Sequence, residues 1–204
     1  MTQDPKHTQK QKIKLLCGII LLLLLVFVLG IGYQRNTNIT NRTLRIIKDL
    51  EWFNILLADN NVSENDIMDM KRVAFNIESN LSGLLSQLQT VYPKKYDEIR
   101  QEARASVMLY SHVHDQIMYE LSTPLDFRQA ENQRDVDLLY AINDICLQRF
   151  KEQCDGEHIV HLSQVSAVCE AIWTDIGNYF VSKYNKYVLP QANVSIFEFI
   201  PDNP

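Results

Sequence analysis

Cys154, His158 and His161, with Glu157 beside them, form the tightest grouping of metal-ligating side chains in the sequence. On a helix His158 and His161 stand three apart and share a face, and a thiolate with two imidazoles suits zinc or copper. A fourth ligand is not evident. The expectation is therefore a polar turn between helices, with no metal and no other cofactor, and with these three residues as the candidate ligands. His112 and His114 are two apart, so on a helix they point in different directions and do not chelate together. Cys146 and Cys169 lie equidistant from the turn at Gly156. In an antiparallel hairpin they stand at one level, and both fall on apolar stripes. A Cys146–Cys169 disulfide is the expectation for a body outside the cytosol; two reduced, buried cysteines are the alternative. Cys154 is eight residues from Cys146 on the same helix, about 12 Å along its axis, which leaves it outside that pair as a free thiol or as one that crosslinks to a second chain.

Catalytic chemistry is thin. Glu78-Ser79 resembles the Glu-Ser pair of lytic transglycosylases, but Ile77 and Leu81 beside it belong to an apolar seam and no partner motif follows. There is no G-x-S-x-G, Walker A loop, G-x-G-x-x-G, H-E-x-x-H or paired C-x-x-C. No catalytic residue is assigned, and the expectation is a non-enzyme. Binding is better served. Tyr179, Tyr184 and Tyr187 lie on the last helix with Trp173 and Phe180, and aromatic residues are enriched in interface hot spots. The stretch Val194–Ile200 is apolar and β-prone, suited to adding a strand to a partner's sheet. Tyr179, Tyr184, Tyr187, Ile196, Phe197 and Phe199 are thus the candidate partner-binding residues. The competing readings are a core stripe for the tyrosines and a tail that packs back along the body.

The elements that must position these residues are helices. Leu15 to Tyr33 is 19 residues without a charge, close to the ~20 that cross a hydrocarbon core, with Tyr33 where an interfacial aromatic belongs. Asn36–Thr43 is rich in Asn and Thr and reads as a flexible stalk. Ile46, Leu50, Phe53 and Leu57 then make a helical stripe. Ser63, with Asp66 three residues later, is a helix start. Ile67, Met70, Ala74, Ile77, Leu81, Leu84, Leu88 and Val91 follow with 3-4 spacing, an unbroken heptad seam. Pro93 opens the next helix, with Ile99, Ala103, Ser106, Tyr110, Val113 and Ile117 on its stripe. Thr123-Pro124 with Asp126 marks a third start, carrying Val136, Leu139, Asn143, Cys146 and Phe150 to an end at Gly156. The last helix runs from about Ser163 to Leu189, where Pro190 stops it. Short connections between long helices make neighbours antiparallel. The predicted fold is all-α: a basic stub (1–14), a transmembrane signal-anchor helix (15–33), a stalk (34–43), an antiparallel four- to five-helix bundle (44–189) and an extended tail (190–204).

Charge follows the same division. Four lysines against one aspartate give residues 1–14 a charge of +3, and 16 Lys/Arg against 24 Asp/Glu give residues 35–204 a charge of −8. A body that acidic is a poor binder of nucleic acid, because phosphate neutralisation needs clustered cations. The basic stub favours an N-terminus held in the cytoplasm, with the body periplasmic or extracellular at the inner membrane. The expected function is a single-pass, non-enzymatic scaffold of a cell-envelope complex, bound to the membrane and to other envelope proteins, with self-association through the seams or Cys154 as a further option. One alternative is a ligand-sensing or regulatory module. In outline the anchored bundle resembles the extracytoplasmic sensor bundles of chemoreceptors and sensor kinases, with signalling left to a partner. The other alternative is a type II glycoprotein, since N-x-S/T sequons occur at Asn38, Asn41, Asn61, Asn80 and Asn193.

Overall fold

A computed structural model describes residues 5–59, 61–154, 160–191 and 193–199, with side chains from Leu16 onward. The chain forms two compact units, Met1–Asn38 and Ile39–Pro204. Helix α1 (Pro5–Ala58) contributes to both. In the first unit its apolar residues point to every side, and Leu16, Ile19 to Leu29 and Ile31 are all exposed. A segment of mean hydropathy 2.8 with none of its apolar window buried by protein is long and apolar enough to cross a membrane.

The second unit is all-α, a bundle of residues 39–58 with α2 (Glu64–Val91), α4 (Arg100–Tyr119), α5 (Gln133–Cys154) and α6 (Leu162–Tyr184). Among its described residues there is no strand. The predicted stalk is corrected here. Residues 36–43 are helical, and Ile39, Thr40 and Thr43 are buried. Thr43 Oγ1 donates to the Ile39 carbonyl at 3.0 Å, and Thr40 Oγ1 accepts from the Val160 amide at 3.0 Å. Hydroxyls that turn inward to backbone groups let tertiary packing override a poor local helix propensity.

Helix α2 starts where its cap requires. The Ser63 amide donates to Asp66 Oδ2 at 2.8 Å, and the Asp66 amide donates to Ser63 Oγ at 3.3 Å, a reciprocal capping box. Its heptad residues from Ile67 to Leu88 are buried, and the seam packs on α4. The helix predicted from Pro93 divides at Ile99 (φ −110°, ψ 20°) into α3 (Pro93–Glu98) and α4, while the stripe from Ile99 to Ile117 is buried throughout. The third start needs correction too. Asp126 does cap the turn, accepting from the Thr123 amide at 2.7 Å, but two 3-10 turns (Asp126–Arg128 and Ala130–Asn132) follow, and α5 begins only at Gln133. Helix α6 ends five residues before the predicted Leu189, because Asn185 takes a left-handed conformation (φ 50°) and its amide bonds back to the last turn.

Buried polar side chains lock the helices in register. Asn143 of α5 donates to the Leu50 carbonyl and to Asn54 Oδ1, both at 2.8 Å, and accepts from the Tyr110 hydroxyl of α4 at 3.1 Å. Trp173 of α6 donates to Ser106 Oγ at 3.0 Å, and Ser106 donates to the Glu102 carbonyl at 2.7 Å. Ser106 on an apolar stripe is thereby explained: it satisfies an indole N–H that is otherwise orphaned.

Candidate functional site

Of the predicted metal group, only Cys154 and His161 are among the described residues. Cys154 is buried at the end of α5, and His161 is exposed as the cap of α6, accepting from the Gln164 amide while its own amide donates to Gln164 Oε1 at 2.7 Å. His158, Glu157 and Gly156 lie outside the described residues. No cluster of three or more His, Cys, Asp or Glu suited to a metal occurs among the described residues.

Cys146 and Cys169 are both buried, on the packed pair α5 and α6, as the hairpin arithmetic requires. They are free thiols in this structure. Each engages α4 instead: Cys146 lies beside the Tyr110 hydroxyl and Cys169 beside Ser106. Burial pushes both thiols up to about 12, against the smaller opposing pull of those hydroxyls. A thiol held protonated is a poor nucleophile and a poor metal ligand.

The candidate partner-binding residues divide. Tyr179 and Tyr184 are half-buried and pack against the core, with Tyr184 edge-on to Tyr179 at 6.2 Å between ring centroids. Burial raises both phenols. Tyr187 is 72% exposed. The tail does not present a strand. Residues Ile196–Phe199 form a 3-10 turn in which Ile196 is only 2% exposed, and Phe197 and Phe199 pack against the core. Lys186 holds the turn down, donating to the Phe199 carbonyl at 3.2 Å with its ammonium 5.3 Å from the Phe199 ring centre. The short apolar run is thus absorbed by this chain's own bundle, which removes Ile196 from any surface a partner would touch.

Two features lay beyond the sequence reading. Arg149 of α5 donates to Asp175 of α6 and to Glu152, a pairing across the hairpin with no motif to announce it. The second is a cleft of about 430 Å³ where α4 meets the start of α5 and the tail, lined by His112, Asp115, Glu120, Asp135 and Glu198 among others. Burial lowers His112, and Asp115 and Glu198 oppose this; burial raises Asp135. Only the fold brings residues 112, 135 and 198 together.

Of the sequon asparagines, Asn61 and Asn193 lie exposed in non-helical segments, and Asn38 and Asn41 lie exposed on α1. Asn80 is half-buried and donates to the Asn76 carbonyl at 2.9 Å. The chain matches no protein-family model, no curated protein and no solved structure.

Proposed function

We propose that the protein is a single-pass, membrane-anchored, non-enzymatic scaffold that serves as an accessory component of a cell-envelope complex. The observation that carries the reading is an apolar helix with no protein around it, Leu16 to Ile31, in a chain whose other unit has a closed core of its own. An apolar segment left bare needs a solvent other than water, and lipid is the simplest one. The basic residues at Lys6, Lys10, Lys12 and Lys14 support an N-terminus on the cytoplasmic side. The Cys146 and Cys169 thiols are protonated rather than activated, and each catalytic motif sought in the sequence is missing, which supports binding over catalysis.

The test has two steps on the full-length protein expressed in its native host. Alkaline carbonate washing should leave the chain in the membrane pellet; release into the supernatant removes the anchor. Chemical crosslinking in intact cells, followed by capture in mild detergent, should then give defined adducts with other envelope proteins. A chain that stays in the pellet yet crosslinks to nothing and behaves as a monomer overturns the scaffold role.

A further inference from the structure

A groove of about 390 Å³ lies between α2 and α4. Leu85, Val107 and Met108 supply its apolar surface, and Ser82, Ser86 and Arg104 supply polar groups. Ser82 and Ser86 are four apart on α2, so both stand on the same face of the helix, away from the Leu81–Leu84–Leu88 seam. Arg104 sits one position after the buried Ala103 on α4 and lines the same groove as the two serines. Asn193 of the tail lines it as well, so the returning tail turns an inter-helix furrow into a pocket.

Among the described residues neither serine hydroxyl bonds to another protein group and Arg104 has no carboxylate partner. Two arginines of the bundle are neutralised by carboxylates: Arg72 pairs with Asp69, and Arg149 pairs with Glu152 and Asp175. The groove therefore gathers one unneutralised guanidinium and two unused hydroxyls beside an apolar wall. Its volume falls within the usual range of small-molecule sites, about 300–1,000 Å³. A guanidinium offers a planar fork of donors that matches a carboxylate bidentately, and neighbouring hydroxyls can donate to the same oxygens.

We propose that this groove binds a small amphipathic carboxylic acid, with the carboxylate on Arg104, Ser82 and Ser86 and the hydrocarbon or aryl body on Leu85, Val107 and Met108. A single cation matches a single negative charge, and the apolar wall needs an apolar body, so a bare inorganic anion fits only half of the site. The inference is independent of the scaffold role, because the groove belongs to the bundle whether or not the chain is anchored.

The experiment uses full-length protein in phospholipid nanodiscs and three probes: 3-phenylpropionate, its uncharged amide and inorganic phosphate. Titration calorimetry and saturation-transfer NMR, with empty nanodiscs as the blank, read binding. The acid should bind saturably, and the amide and phosphate should bind about tenfold more weakly or worse. Arg104→Gln should weaken the acid about tenfold with thermal midpoint and helicity unchanged. Ser86→Phe, which fills the groove from an exposed position, should abolish binding of the acid. Equal affinity for acid and amide, an Arg104→Gln protein that binds as before, or a signal no larger than that of empty nanodiscs each overturns the proposal.

Discussion

The apolar stretch of α1 and the seam of α2 are built from much the same residues and differ in arrangement. Ile19 to Leu29 is apolar at every position, so no face of that helix is set apart. In α2 the apolar residues recur at three and four, and the positions between them are Asp69, Arg72, Asn76, Ser79 and the like. The first stretch is exposed all round, and the second buries Ile67 through Leu88 against its neighbours. Hydrophobicity alone does not choose a partner: the period does. A stripe selects another helix, whereas an apolar cylinder suits a solvent that is apolar on every side.

Substitutions that act on one region and spare the other put this contrast to the test. The largest effect is expected in the bundle. Phe53 is fully buried, and Phe53→Ala should cost about 3–5 kcal/mol of stability, seen as a lowered denaturant midpoint, with membrane retention unchanged. Leu24→Arg should do the reverse. An arginine at the centre of a span costs about 2.5–3.5 kcal/mol on insertion scales, so retention after carbonate washing should fall while the bundle melts as before. If Leu24→Arg lowers bundle stability instead, the bare helix is a packing element and lipid is not its partner. Asn143→Ala should cost about 1–3 kcal/mol, since it removes a buried partner from the Tyr110 hydroxyl and from the Leu50 carbonyl. Asn143→Ala combined with Tyr110→Phe should be less destabilised than the sum of the two single changes; simple additivity would sink the network reading.

Seams and caps were the legible part of the fold. Ser63 with Asp66, the α2 heptads and the α4 stripe are local patterns, and each sits where its spacing puts it. The failures share a cause. Asn36–Thr43 is a weak helix former, but Thr40 and Thr43 find backbone partners that only the fold supplies. The tail's β-prone run is settled by Lys186 and by the hydrophobic surface it lands on. Cys146 and Cys169 were placed correctly on the packed helix pair, yet their immediate neighbours come from a third helix, α4, which no two-helix argument contains. The groove was invisible for a similar reason: Ser82, Ser86, Arg104 and Asn193 are ordinary surface residues until two helices and a returning tail set them side by side.

The smallest effect expected lies at the start of α2, and it tests whether the seam stands on its cap. Ser63→Ala removes the hydroxyl that accepts from the Asp66 amide and should cost about 1 kcal/mol. The cap also carries a pH signature. Hydrogen bonds from the Ser63 hydroxyl and then from its amide hold the Asp66 carboxyl below its ordinary value. A carboxyl that is lowered in the folded state binds fewer protons there than in the unfolded chain. Its contribution is therefore complete above the unfolded-state value near 3.8 and is lost as pH falls through the lower folded value. Acid titration of stability should accordingly show a shallower fall below pH ~4 in Asp66→Asn than in the parent chain. Thr123 and Asp126 repeat the same pairing ahead of a 3-10 turn, and Asp126 is lowered in the same way. Asp126→Asn should flatten the acid limb as well, with less loss of helicity, because no long helix grows directly from that cap. Equal loss of helicity in the two variants would mean that α2 is held by its seam alone, and that its cap merely marks where the helix begins.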